Sequence, residues 1–269
     1  MKRKIIFRWL KVIIILYSAI GIALYYLQEK FLFHPEKLST AYVYDFKVPF
    51  EEVNIPINNT DTINMIKFFP RDSIRRGVVV YFHGNMQNIE RYAKFAANFT
   101  KEGYEVWMED YPGFGKSTGK LTEQTLYNWA NYMYNFARTR FSADSIIIYG
   151  KSMGTGIAAH LASIQPCKNL ILETPYYDYP SVIKHYLPIY PIEWILHYKI
   201  PTHDYIEKVL APITIFQGTD DWLVTYNNAE RLKPFLKVGD EFVTIEGGSH
   251  NDLYKFKETI EKLDSLLKD

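Results

Sequence analysis

The 269-residue chain has a single cysteine, Cys167. No intrachain disulfide can form, so the fold must be held by burial, and its thiol content says nothing of the redox state around it. It has no H-E-x-x-H string and no Cys/His cluster, so no metal or other cofactor is expected. Charge of one sign is lacking as well: 31 Lys and Arg stand against 30 Asp and Glu, a net charge of +1. With no basic stripe beyond a cluster at the N-terminus, nucleic acid is not an expected partner. A phosphate loop is excluded because G-x-x-x-x-G-K-[ST] needs glycine where Ser145 and Asp110 stand. Internal repeats and low-complexity tracts are absent too.

What is present centres on Gly150-Lys151-Ser152-Met153-Gly154, a match to G-x-S-x-G. The β-branched run Ser145–Tyr149 precedes it and the helix-like stretch Ile157–Ser163 follows it. A strand, a tight turn and a helix are therefore expected, with the Ser152 hydroxyl held on a strained corner at the helix N-terminus. The plainer reading is a glycine-rich turn whose serine only caps the helix. Further residues decide between the two, because a serine hydroxyl is a weak nucleophile until a base takes its proton and an acid orients that base.

In the order Ser, Asp, His that accompanies G-x-S-x-G, the acid follows a later strand. Ala211–Gln217 reads as that strand and Gly218–Val224 as the loop after it, with Asp220 and Asp221 as the choices. His250 is the sole histidine after Asp221 and sits in the glycine-rich turn that follows Glu241–Ile245. An oxyanion hole needs two backbone N–H donors. One is expected from Met153, next to the nucleophile, and the other from Asn85, in the His83-Gly84-Asn85-Met86 turn that ends the buried-strand run Gly77–Phe82. His83 lies on the wrong side of the serine in chain order and is expected to brace the loop.

These segments, with Glu109–Ser117, make the chain resemble the α/β-hydrolases from about Arg76 to the C-terminus. Within that superfamily it is similar to a membrane-anchored branch of lysophospholipase-like, protein-depalmitoylase-like and serine-aminopeptidase-like sequences. The resemblance implies a D-x-x-V acid motif, which selects Asp221, followed by Val224, over Asp220. Gln217 stands where relatives often carry histidine, a departure expected to touch packing and not chemistry.

The N-terminus carries a second message. Val12–Leu27 holds no charge and follows Lys2, Arg3, Lys4, Arg8 and Lys11. At about 1.5 Å per residue it spans roughly 24 Å, short of a hydrocarbon core of about 30 Å unless Trp9-Leu10 and Phe31–Phe33 extend it. A transmembrane helix over about residues 9–28, within an anchor 1–34, is expected to project from the globular domain. Cleavage of a signal peptide at Ala19-Ile20-Gly21 is disfavoured, since the apolar run continues past it. The basic flank places the N-terminus in the cytoplasm and the catalytic domain, residues 35–269, on the extracytoplasmic side of the cell membrane.

The remaining chain alternates strand and helix signals as an α/β fold requires, giving a mostly parallel central sheet with helices on both faces. A small cap insertion is expected over Thr174–Leu210, with five prolines and eight aromatics. Its rings suit either an acyl pocket or membrane interface, or plain packing onto the sheet. The reading is a membrane-anchored serine hydrolase with Ser152, Asp221 and His250 as catalytic residues, acting on an ester, thioester or amide. The anchor and cap favour lipid-like acyl substrates. A serine peptidase is the alternative enzyme, and a catalytically idle fold used as a membrane scaffold is the alternative of another class. The oligomeric state is not read from the sequence.

Overall fold

The computed structural model describes residues 2–72 and 75–268. The chain opens with helix α1 (Lys2–Leu32), which runs without a break through the basic cluster and the apolar run. Two-residue strand β1 (His34–Pro35) leads to the antiparallel pair β2 (Phe50–Pro56) and β3 (Thr62–Phe68). Then come β4 (Gly77–Phe82), the short β5 (Met86–Gln87), α2 (Ile89–Tyr92), α3 (Ala97–Thr100), β6 (Tyr104–Glu109) and α4 (Glu123–Arg138). Next are β7 (Ile146–Lys151), α5 (Met153–Ile164), β8 (Asn169–Glu173) and three short helices, α6 (Tyr179–Tyr186), α7 (Ile192–Ile195) and α8 (Thr202–Ile206). The chain ends with β9 (Ile213–Gly218), α9 (Tyr226–Ala229), β10 (Glu241–Ile245) and α10 (Lys257–Lys268).

Eight strands form one sheet in the order β10-β9-β8-β7-β4-β6-β3-β2, and the six from β10 to β6 are parallel. Period-two alternation explains its two covered faces. Val78, Val80 and Phe82 of β4 pack with α4, α5 and the cap, while Val79 and Tyr81 pack toward α2, α3 and α10. This is the α/β-hydrolase fold, with the central strands feeding loops at their carboxyl ends, where ligands of such sheets bind.

Several helices are more broken than the sequence patterns imply. The stretch Ile89–Thr100 is two single-turn helices joined by a 3₁₀ turn, and Pro234 leaves 3₁₀ geometry over Glu230–Phe235. The larger difference lies in α1. Its C-terminal part does not stand free: Leu32 and Phe33 are buried in the core, and β1 pairs in parallel with β5. The end of α1 thus packs into the core beside the cap residues Tyr179 and Tyr198, while most of the helix before it is exposed.

Candidate active site

Ser152 sits between β7 and α5 with φ 51° and ψ −120°, a left-handed conformation that a non-glycine residue adopts only when its surroundings hold it there. The flanking glycines permit it. A Cβ on Gly150 would lie 2.4 Å from Gly154 O, and one on Gly154 would lie 2.1 Å from Phe82 O. The helix thus rests against β4 and the strand against the helix with no room for a side chain, and the Ser152 hydroxyl is aimed away from both.

His250 comes from the loop after β10. Its Nε2 lies 2.9 Å from Ser152 Oγ and its Nδ1 2.8 Å from Asp221 Oδ2. A carboxylate only accepts, so Nδ1 carries the proton and Nε2 is the free base facing the serine hydroxyl. Asp221 follows β9 and is saturated by donors. Oδ1 accepts from the N–H groups of Leu223 and Val224, both at 2.9 Å, and Oδ2 also accepts from Gln217 Nε2 at 3.3 Å. The D-x-x-V spacing thus has a local cause, since the fourth residue's N–H closes a turn on the carboxylate. Asp220 is exposed; its carboxylate accepts from Thr219 Oγ1 at 3.3 Å and its N–H donates to Gly248 O at 2.9 Å. All three residues of the chain are buried, with relative exposures of 9% for Ser152, 3% for Asp221 and 5% for His250.

Met153 opens α5, and Asn85 lies in the loop between β4 and β5; both line the pocket over Ser152. The neighbouring Gly84 is close enough that a Cβ there would lie 3.6 Å from Ser152 Cβ. The Asn85 loop is stitched to the end of α1: Asn85 Nδ2 donates to Leu32 O at 2.6 Å and His34 N donates to Asn85 O at 3.0 Å. His83 is fully buried beneath this loop, its Nδ1 2.6 Å from Gly84 O and its ring against Tyr92 and Tyr111 at 4.9 and 4.3 Å. It does not reach Ser152 and braces the turn.

Two contributors escaped the sequence reading. Gln217, read as a packing residue, is the penultimate residue of β9 and hydrogen-bonds the Asp221 carboxylate and Val224 O. Lys151, between the glycine and the serine of the motif, is 2% exposed and forms an ion pair with Glu173 at the end of β8. Its ammonium also donates to His250 O at 3.3 Å, while Tyr149 donates to Glu173 and meets Tyr254 at 2.9 Å. Only the identity of Lys151 next to the serine pointed that way; nothing in the sequence linked it to residues 173 and 250.

The pocket above these residues has a volume of about 490 Å³, within the range of small-molecule sites. Phe31, Leu32, Met86, Val182, Ile183 and Leu223 make most of its wall apolar, and no carboxylate is among the described residues that line it. Tyr92, on the same wall, has its phenol pushed up to about 12 by burial and so stays protonated at neutral pH.

The fold and this strand, turn and helix architecture are those of the α/β-hydrolases. Residues 73–205 match the serine aminopeptidase, S33, family. Among curated proteins, the chain is 28% identical over 200 residues to alpha/beta hydrolase domain-containing protein 17C of Xenopus tropicalis, covering 71% of this chain and 62% of that one. The human alpha/beta hydrolase domain-containing protein 17B is 26% identical over 193 residues, covering 69% and 64%. The chain thus matches less than two thirds of the length of either relative. Among solved structures, the Pyrococcus furiosus esterase Pf2001 superposes with a TM-score of 0.68 at 18% identity, over 87% of this chain and 98% of that one. Est1E from Butyrivibrio proteoclasticus, solved with ferulic acid bound, gives 0.61 at 19% identity, over 80% and 96%. These structures share the fold.

Proposed function

We propose that this protein is a membrane-anchored serine hydrolase that cleaves a carboxyl ester, thioester or amide, with lipid-like acyl groups as its favoured substrates. The observation that carries the reading is the hydrogen-bonded series Ser152, His250, Asp221 on the floor of an apolar pocket. Ser152 Oγ attacks the acyl carbonyl as His250 Nε2 takes its proton, and Asp221 holds the resulting imidazolium. The N–H groups of Asn85 and Met153 receive the charge that develops on the carbonyl oxygen. His250 then protonates the leaving group, and a water deprotonated by the same nitrogen releases the acyl-enzyme. The chemistry asks for no cofactor.

Substrate preference follows from the pocket wall. An aminopeptidase must hold a free ammonium group, yet no carboxylate is among the described residues that line this pocket, and Arg91, which does line it, repels a cation. An acyl chain suits the Phe31, Val182 and Ile183 surface through burial alone. The 31-residue α1 and its basic start support an anchor whose N-terminus is cytoplasmic, with the catalytic domain on the outer face of the cell membrane.

Ser152→Ala tests the reading. The native protein in detergent should be labelled by a fluorophosphonate and should hydrolyse acyl esters and thioesters faster than aminoacyl anilides. The variant should lose the label and several orders of magnitude in kcat while keeping its melting temperature. Labelling that persists in the variant overturns the nucleophile, and native protein that neither labels nor turns over supports the idle scaffold instead.

A further inference from the structure

The docked stretch of α1 and its apolar run overlap. The Tyr17 ring stacks on Tyr190 at 4.6 Å with 3° between planes, and the Tyr17 hydroxyl donates to Ile189 O at 2.9 Å. Gly21 faces the same ring, close enough that a Cβ would lie 3.6 Å from it. Further along, Tyr25 meets His197 edge-on at 4.7 Å. Gln28 Nε2 donates to Ile195 O at 3.3 Å, and Gln28 Oε1 accepts from His197 N at 2.7 Å. The cap therefore follows α1 from Gln28 back to Tyr17, a distance of about 16 Å along the axis.

That overlap conflicts with a cap standing in water. The part of α1 beyond the cap, Lys2–Leu16, is about 22 Å long, less than a hydrocarbon core of roughly 30 Å. It also contains Lys2, Arg3, Lys4, Arg8 and Lys11, which seek the headgroups. Between Lys11 and Tyr17 only about 7 Å of helix is apolar and free. A span can close only if the docked stretch enters the lipid too, and what is docked on it must go along.

We propose that the tip of the cap, residues 187–195, is immersed in the bilayer beside α1, with Ile189 at its deepest point, so that the pocket opens onto lipid. The proposal rests on the reading of α1 as the membrane anchor. The segment is built for it: Ile189 is 71% and Trp194 86% exposed, although both are large and apolar. Pro188 and Pro191 have no N–H to leave unpaired, and the carbonyls of Ile189 and Ile195 accept from α1. Its one charge, Glu193, is paired with Lys184 and lies toward the Gln28 end of the contact, where headgroups begin. The exposed residues Phe31, Tyr186 and Trp222 line the pocket next to this tip, so an acyl chain reaches the pocket without crossing water.

The test uses the full chain in phosphatidylcholine vesicles, with Cys167→Ser as background and single Ile189→Cys, Ile13→Cys or Val238→Cys substitutions carrying an environment-sensitive fluorophore. Val238, fully exposed before β10 at the opposite end of the sheet, is the aqueous control. Lipids spin-labelled near the top of the acyl chain should quench most of the emission at positions 13 and 189 and leave 238 unchanged. Quenching at 13 without quenching at 189 overturns the immersed cap and leaves the anchor standing. Quenching at neither overturns both. As a check free of labelling, Trp194→Phe should reduce the fraction of tryptophan emission that the same lipids quench in the unmodified protein; an unchanged fraction counts against the proposal.

Discussion

At the scale of single residues, two adjacent aspartates differ in everything but charge. Asp221 is buried, takes two backbone N–H groups and holds His250, whereas Asp220 is exposed beside Thr219. Asp221→Asn should lower kcat on the order of 10⁴-fold, as loss of the orienting carboxylate does in other triads, and Asp220→Asn should leave it near native. Steady-state rates on one acyl ester measure both. Glu109 offers a test of a different kind. It is fully buried, neither carboxyl oxygen has a hydrogen-bond partner among the described residues, and burial raises its pKa well above the ordinary glutamate value, with Asp110 adding to the shift. The folded state keeps this proton while the unfolded state releases it, so its stabilising contribution is complete below pH 4.5 and is lost as pH rises. The melting temperature of Glu109→Gln should show a shallower decline from acid to neutral pH than the native protein; parallel curves would place a charged carboxylate at this position.

At the scale of elements, the Ser152 turn is fastened from below. Lys151 ends β7, Glu173 ends β8, and Lys151 reaches over to the carbonyl of His250, so one ammonium ties two strand ends to the histidine loop. Removing one partner of a buried pair leaves the other uncompensated, which costs about 3–5 kcal/mol. Lys151→Met should therefore lower the melting temperature and, because the histidine loop loses its tether, reduce kcat more than it raises KM. Thermal unfolding and Michaelis kinetics on the same preparation read the two effects. A native kcat in a destabilised protein would confine the pair to stability.

At the scale of the whole molecule, α1 is cap partner and pocket wall and, in the proposed reading, anchor as well, since Phe31 and Leu32 line the site while Tyr17 holds the cap. Burying so many apolar side chains outweighs screened electrostatics, so the chain should stay with membranes through carbonate and high-salt washes. The basic start predicts an extracytoplasmic domain. Protease added to intact spheroplasts should digest it without detergent, and protection until lysis would reverse the orientation.

How much of this was legible depends on how far apart in the chain the cooperating residues lie. Strand pattern, the strained serine turn and the D-x-x-V turn are local, closed by neighbours a few residues away, and the Ser, Asp, His order follows from strands that each end at the same edge of one sheet. For that reason Ser152, Asp221 and His250, which hydrogen-bond in series, could be put forward together as a candidate site from the sequence alone. The alternation of Val78, Val80 and Phe82 against Val79 and Tyr81 likewise follows from a period of two. Lys151 and Glu173 were not legible, because their roles rest on where strand ends meet: Lys151 and His250 are 99 positions apart and share no pattern. The course of α1 was half legible. Its helix and its apolar run are properties of the sequence, but that the run carries the cap along it, through contacts 172 residues apart, is decided only by packing.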